Sequence, residues 1–155
     1  MLTVATSVGE IRVFELMDVY GGSDPDQDFN DFYGDLTWFF RNSGAKYMLW
    51  QPGGRYAAAL RVEPYRDGVL IAGLETDLQH RRKGHATQLL EQTLKHLFAD
   101  GIGRIYSHVA KDNIVSRRVH ERCGFIAIAD QAVLLDGSVS AKYVTLCKKN
   151  TAESR

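Results

Sequence analysis

The chain has 155 residues, enough to bury a core, and we expect residues 1–155 to form a single domain. Nineteen lysines and arginines balance nineteen aspartates and glutamates, and this zero formal charge argues against a nucleic-acid partner. Because no apolar run approaches the length of a membrane span and no basic, apolar leader opens the sequence, we expect no membrane partner and no export.

The first third of the chain predicts one strand and one helix. Residues 1–9 are interpreted as a short extension or a partly disordered segment, and residues 10–16, with Ile11 and Val13 in alternation, predict a first strand. Residues 21–26 predict a loop. Between residues 28 and 41 the aromatic and aliphatic residues recur at helical spacing, which predicts an amphipathic helix that ends near Gly44.

Three strands are predicted next, over residues 46–51, 55–65 and 69–76, and they form an antiparallel meander. A helix follows, because apolar residues recur at steps of three and four before Gly101; they are Ala86, Leu89, Leu90, Leu94, Leu97 and Phe98. Residues 104–110 predict a strand parallel to residues 69–76, because a helix connects the two. A short capped helix ending at Gly124 and a C-terminal hairpin of residues 126–135 and 141–148 complete a mixed α+β fold.

The start of the long helix carries an unusual basic turn, Arg81-Arg82-Lys83-Gly84-His85-Ala86. Cations at a helix start cost stability unless an anion lies across them, because the helix dipole is already positive there. A strand-to-helix turn also aims unpaired backbone N–H groups at phosphates, and Gly84 lets the backbone approach a ligand closely. The alternative is a solvated basic loop with a routine glycine.

A second motif follows about thirty residues later, with Asn113, Ser116, Val119, His120, Gly124 and Phe125 in fixed order. Together with the basic turn it resembles the GCN5-related N-acetyltransferase (GNAT) superfamily, over about residues 69–125. The resemblance implies an antiparallel meander, then a β-α-β unit with a splayed parallel strand pair. It also implies acetyl coenzyme A as co-substrate, and no metal is expected.

The resemblance implies a set of cofactor-binding residues. The turn would bind the pyrophosphate through Arg81, Arg82, Lys83, Gly84, His85, Ala86 and Thr87. The strand before it would bind the pantetheine arm by backbone hydrogen bonds at Leu74, Glu75 and Thr76. Asn113 matches the family's asparagine on the cofactor arm, and Ser116 of the same motif is counted with it.

The activity implied is direct transfer of an acetyl group to an amine, which requires proton transfer from the amine and to the departing thiolate. Glu75 could accept the amine proton through water. The alternatives are a charged residue at the rim of the site or a residue that binds the substrate. His108 has a pKa suited to a base, the alternative being an exposed strand histidine. His120 stands where the family usually has tyrosine and could protonate the thiolate, the alternative being an outward-facing helix histidine.

Two other classes of function stay open from the sequence. One is a non-catalytic module that binds acetyl-CoA or CoA in a sensing or interaction role. The other, a nucleotide-binding regulator, is disfavoured because no Gly-x-x-x-x-Gly-Lys-Ser/Thr motif occurs.

The expected partner is a small-molecule or peptide amine, and a homodimer is left open. An acidic segment could attract a cationic acceptor, or consist only of loop and cap residues; it contains Asp24, Asp26, Asp28, Asp31 and Asp35. The only cysteines, Cys123 and Cys147, lack metal-like spacing and favour a reducing cytoplasm.

Overall fold

The computed structural model of the protein describes residues 1–21 and 24–151. Its strands are β1 (Leu2–Ala5), β2 (Lys46–Trp50), β3 (Ala58–Tyr65), β4 (Gly68–Thr76), β5 (Arg104–Ala110), β6 (Ile126–Ala129), β7 (Ala132–Val133), β8 (Val139–Ser140) and β9 (Tyr143–Lys149). Its helices are α1 (Val13–Tyr20), α2 (Phe29–Asn42), α3 (His85–Ala99) and α4 (Ile114–Arg122). Single 3-10 turns lie at Val8–Glu10 and Leu78–His80.

The main sheet has the strand order β1-β2-β3-β4-β5-β9-β6. Neighbouring strands are antiparallel except β4 and β5, which are parallel, as the crossover through α3 predicts. β4 and β5 pair only from Val69 with Ile105 to Ile71 with Ser107, although both strands continue further. The predicted splayed parallel pair and the mixed α+β fold are therefore confirmed.

The sheet is covered on both faces by helices. On one face α3 buries Leu89, Leu90, Leu94 and Leu97 against strand residues such as Leu60 and Leu146. On the other face α1 and α2 bury Leu16, Val19, Phe32 and Leu36 against Tyr47 and Leu49. Each fully buried aliphatic side chain contributes about 1.5–3 kcal/mol, so both layers are held mainly by apolar burial.

Two predictions for the N-terminal part are wrong. Residues 10–16 do not form a strand: the chain makes a 3-10 turn and then enters α1, whose buried residues Leu16 and Val19 lie one helical turn apart. The strand β1 instead lies within residues 1–9 and pairs with β2, burying Ala5 completely. The predicted loop of residues 21–26 lies partly outside the described residues.

The predicted C-terminal hairpin is more divided than expected. β6 pairs with β9 at the edge of the main sheet, while β7 pairs with β8 in a separate two-stranded ribbon. The pairing register of β6 with β9 shifts between Ala127 and Ala129, just before the chain leaves the main sheet. A single strand over residues 126–135 is therefore wrong, whereas the return strand β9 confirms the prediction for residues 141–148 within two residues.

Candidate active site

The basic turn forms the exposed entrance to α3. Arg82 and Gly84 both have positive φ, 64° and 78°, so two residues of the turn are left-handed. A Cβ built on Gly84 would meet nothing within 4 Å, which means that the backbone angle, and not crowding, requires glycine here. The residue that caps α3 is Gly84, which has no side chain to accept hydrogen bonds from the first N–H groups of the helix. These groups are therefore available to an anion.

The charged side chains of this turn are largely without acidic partners in the described part of the chain. Arg81, Arg82 and Lys83 are exposed, and only Arg81 has an acid nearby, with Nη2 lying 3.8 Å from Glu75 Oε2. Arg81 Nε also donates to the Thr76 carbonyl over 3.4 Å. His85 contributes an Nδ1 that is buried and has no hydrogen-bond partner among the described residues. The turn thus presents unmatched cations and a polar atom to a ligand.

The strand before the turn is bent by a bulge at Gly73. The register of β4 on β3 shifts there, from Arg61 opposite Ala72 to Ala59 opposite Glu75, and Gly73 has a φ of 63°. The extra residue turns the Glu75 side chain to the face that carries α1 and α2, because Ala59 belongs to that core. Burial raises the pKa of Glu75, and Arg81 partly offsets that rise.

The second motif caps α4. Asn113 Oδ1 accepts a hydrogen bond from the Ser116 N–H over 3.1 Å, so its oxygen serves the helix and only its amide group can donate to a ligand. Asn113 is exposed and Ser116 is half-buried. Both therefore lie where a cofactor arm could reach them, on the sheet face covered by α3 and α4.

His120 is the buried centre of this region. Only 1% of the residue is exposed, so the outward-facing alternative is wrong. Its Nδ1 lies 2.7 Å from the Ser116 carbonyl, to which it donates, and its Nε2 lies 2.8 Å from Ser107 Oγ. Burial lowers the pKa of His120, which favours the neutral ring. Since Ser107 belongs to the last paired position before β4 and β5 diverge, this pair lies at the base of the splay.

His108 lies on the opposite face of the sheet. It is half-buried, with Nε2 3.4 Å from the Tyr65 hydroxyl, which itself donates to the Val133 carbonyl over 2.6 Å. The Tyr65 oxygen can therefore accept from Nε2–H, which leaves Nδ1 as the basic nitrogen. Burial, and secondarily the nearby charge of Arg66, lowers the pKa of His108.

The candidate proton-transfer residues are thus divided between the two faces. Glu75 and His108 face the side of α1 and α2. Leu70 is the register partner of Glu63 on β3 and of Tyr106 on β5, so these three side chains share one face of the sheet. Because every second residue of a strand takes the same face, His108 shares it with Tyr106, and Arg61 shares it with Glu63. His120 and Ser107 face the side of α3 and α4. The face taken by Glu75 depends on the bulge at Gly73, which a sequence pattern does not reveal, whereas alternation along β5 already places Ser107 and His108 on opposite faces.

A cavity of about 160 Å³ opens on the α1 and α2 face, beside the bulge. Aromatic and charged residues that sequence reasoning did not single out line it, among them Tyr20, Tyr47 and Arg61. One signal was present: Arg61 and Glu63 alternate as charged residues within a strand whose other positions are largely buried. The mouth of the cavity includes Asp24 and Asp35 of the predicted acidic segment.

The described residues contain neither a membrane-spanning helix nor a metal-binding cluster. Within residues 1–21 and 24–151, none of the helices combines the length and apolarity that crossing a bilayer requires. Nor does that part of the chain bring together three or more histidine, cysteine, aspartate or glutamate residues in a metal-binding arrangement.

A sequence model described as the Acetyltransferase (GNAT) family matches residues 12–125. This chain belongs to that family. The match spans α1 through α4, including the basic turn and the second motif, so the protein is an enzyme of the acyl-CoA-dependent N-acyltransferase class. A search of curated protein sequences found no match.

Solved structures of GNAT acetyltransferases share the fold over nearly the whole chain. A spermidine N-acetyltransferase from Vibrio cholerae, in complex with CoA and spermine, has a TM-score of 0.70 at 16% identity, covering 99% of this chain and 98% of its own. A ribosomal-protein-alanine N-acetyltransferase from Brucella melitensis has a TM-score of 0.72 at 14% identity, covering 96% and 99%. A Bacillus subtilis acetyltransferase in complex with CoA has a TM-score of 0.66 at 19% identity, covering 96% and 99%.

Proposed function

We propose that this GNAT enzyme transfers an acetyl group from acetyl-CoA directly to an amine acceptor. The observation that carries the proposal is the basic turn at α3, an uncapped helix start with unmatched cations that directly follows the splayed strand β4. Acetyl-CoA would supply an activated acyl group and a thiolate leaving group there. We also propose a cytoplasmic setting, which the two free thiols, Cys123 and Cys147, suit.

The turn fits the phosphates of such a co-substrate. Arg81, Arg82 and Lys83 supply positive charge, and the first N–H groups of α3, at His85, Ala86 and Thr87, supply hydrogen bonds. The buried Nδ1 of His85 offers a further polar contact. Backbone groups of Leu74, Glu75 and Thr76 on β4, which β5 leaves unpaired, would bind the cofactor arm, and Asn113 and Ser116 would contact it from the start of α4.

The chemistry needs two proton transfers. The neutral acceptor nitrogen forms the new C–N bond as the C–S bond breaks; the nitrogen loses one proton and the sulfur gains one. An acceptor that is bound as the ammonium must first give up one further proton to a base. Glu75 and His108 lie on the sheet face that carries α1 and α2 and serve as the candidate bases, His108 through Nδ1. His120 can give a proton only as the imidazolium, and its contact at Nε2 is Ser107 Oγ, so we propose that its proton reaches the sulfur by way of Ser107.

The test combines binding with turnover. Acetyl-CoA should raise the Tm by stabilising the folded state, and thiol release should appear with at least one member of a broad panel of amines. A Tm increase without turnover of any amine would favour the non-catalytic binding module. The observation that supports this alternative is His120, which stands where the family usually has tyrosine. Absence of any Tm change with acetyl-CoA would contradict the proposal, and competition by ATP would favour a nucleotide site.

A further inference from the structure

The cavity between α1, α2 and the sheet has an arginine at its floor. At about 160 Å³ it is much smaller than the roughly 300–1,000 Å³ of sites for drug-sized ligands, so it suits a group the size of one amino acid. Phe39 and Tyr47 form aromatic walls beside Arg61, and Tyr47 is the register partner of Arg61 on the adjacent strand. The cavity therefore combines aromatic walls with one arginine, while Asp24 and Asp35 also belong to its lining.

Arg61 is incompletely matched inside the protein. Its side chain is 24% exposed, and its guanidinium carbon lies 4.5 Å from the centre of the Phe39 ring. Glu63 Oε1 lies 3.5 Å from Nε, but Nε is buried and makes no hydrogen bond within the described part of the chain. Glu63 thus offsets the charge from one side without engaging the planar fork of the guanidinium, whose strongest partner is a carboxylate.

The guanidinium lies beside Gly73, at the bulge of β4. A Cβ built on Gly73 would be 3.5 Å from Arg61 Nη1 and 3.5 Å from the Tyr20 hydroxyl, which donates to the Gly73 carbonyl over 2.7 Å. Gly73 marks the bulge of β4 next to the splay, and Glu75 follows two residues later on the same face. A group bound by Arg61 would consequently be held within a few bonds of the reacting amine.

We infer that Arg61 binds a carboxylate of the acceptor, which makes the acceptor an amino-acid-like molecule with amine and carboxylate close together. This inference rests on the proposed function. Arg61 and Glu75 place a positive and a negative group on one face beside the bulge, and these match the carboxylate and the ammonium of such a zwitterion. An amine without a carboxylate would leave the guanidinium with Glu63 as its acid partner and would not use its planar fork.

The first test uses the wild-type enzyme and matched acceptors. Each L-amino acid is compared with its carboxamide and with its decarboxylated amine, so that only the carboxylate differs. We expect kcat/KM for the best acids to exceed that for their amides by about 100-fold or more, because the amide cannot form the charged, two-point contact with the guanidinium. In the presence of CoA, the acids but not the amides should further raise the Tm.

The second test removes the arginine. Arg61→Gln should lower kcat/KM for the acids by about 100-fold and leave that for the amides nearly unchanged, with the Tm increase caused by acetyl-CoA retained. Because this change leaves the buried Glu63 without its counter-charge, the double variant Arg61→Gln/Glu63→Gln provides a folded control with the same expected loss of preference.

The outcomes separate this inference from the proposed function. If the wild-type enzyme binds acetyl-CoA and uses amides or decarboxylated amines as well as the acids, the inference is wrong and the acetyltransferase proposal stands. If no amino acid raises the Tm of the CoA complex and none is acetylated, the inference is also wrong. If acetyl-CoA itself neither binds nor supports turnover, the proposed function has failed, and the inference fails with it.

Discussion

The two sides of the splayed strand pair carry their charged groups in different settings. On the α3 side, exposed cations and backbone N–H groups gather in one short stretch, Arg81 to Thr87, at a helix start. On the α1 and α2 side, Arg61 and Glu63 lie largely within the protein against aromatic rings from α2 and β2. The first arrangement is local in sequence, whereas the second is assembled from distant elements. A change on either side should therefore alter one substrate and spare the other.

The largest expected effect is on the α3 side. Gly84→Glu places a carboxylate at the helix start and forces an L residue to a φ of 78°. We expect the Tm increase caused by acetyl-CoA to disappear, because the added side chain and its negative charge oppose the phosphates. The measurement is thermal unfolding with and without acetyl-CoA. An undiminished Tm increase in the variant would contradict the proposal that the turn binds the phosphates.

Gly101 provides the matched control. It lies just beyond the other end of α3, has a φ of 88°, and also leaves open space around a built Cβ. Gly101→Glu therefore carries a similar backbone cost of about 1–2 kcal/mol for an L residue in this conformation. The control should lower the Tm of the free protein but keep the full increase with acetyl-CoA.

The local side is also the side that the sequence predicts well. The strand predicted over residues 104–110 has those bounds in the structure, and the one predicted over 69–76 is longer by a single residue. Both flank a fifteen-residue helix whose apolar stripe is long enough to show its period. For Gly84 the sequence indicated only a close approach of the backbone to a ligand, and its left-handed φ of 78° is an additional finding of the structure.

The other side shows why the rest could not be predicted. β1 has only four residues and α1 only eight, too few for alternation or helical spacing to be decisive, and Ile11 with Val13 suggested a strand that does not exist. The cavity depends on Tyr20, Arg61 and the bulge at Gly73, which are far apart in sequence. The bulge inserts one residue and so decides which face Glu75 takes, a detail that a periodic pattern does not record.

The next largest effect concerns His120. If it supplies the thiolate proton, His120→Phe should lower kcat by about 10² to 10⁴ with little change in acetyl-CoA affinity. Its pKa lies below the usual 6.5 because of burial, and the donor must be the imidazolium. Wild-type kcat should therefore fall as the pH rises through that lowered pKa, and the variant should lack this dependence.

His120→Tyr serves as the comparison, since it differs from His120→Phe by one hydroxyl group. The tyrosine variant should recover activity that the phenylalanine variant loses if a proton donor is what this position requires. Equal kcat for wild type and His120→Phe across about pH 6 to 9, with chemistry rate-limiting, would show that His120 only fills the core beside Ser107 and Phe125.

A smaller effect is expected for His108, and here activity should fall as the pH is lowered, in contrast to His120. As a base it must be neutral, and burial with Arg66 nearby lowers its pKa below 6.5. kcat/KM should accordingly be level above that value and fall as the pH drops through the lowered pKa. His108→Gln should remove this inflection and lower kcat/KM by about 10². His96→Gln, which removes a histidine on α3 beside Asp100, should change neither, and an unchanged inflection in His108→Gln would assign the base to another group.

The smallest effect tests the acidic mouth of the cavity. Asp24 and Asp35 line it, and the shallow surface beside it adds Asp26, Asp28 and Asp31, whose negative charges would raise the local concentration of an acceptor with a cationic side chain. Asp28 is excluded from mutation because it caps α2, accepting from the N–H groups of Asn30 and Asp31. The variant Asp24→Asn/Asp35→Asn should raise KM for such an acceptor a few-fold at low salt.

Because ions screen exposed charges beyond roughly 10 Å at 0.1 M, the wild-type KM should rise with salt toward that of the variant. Asp100→Asn, which removes a charge at the end of α3 on the other face, should leave KM unchanged, and a wild-type KM that does not respond to salt would show that these carboxylates serve the loop and helix cap alone.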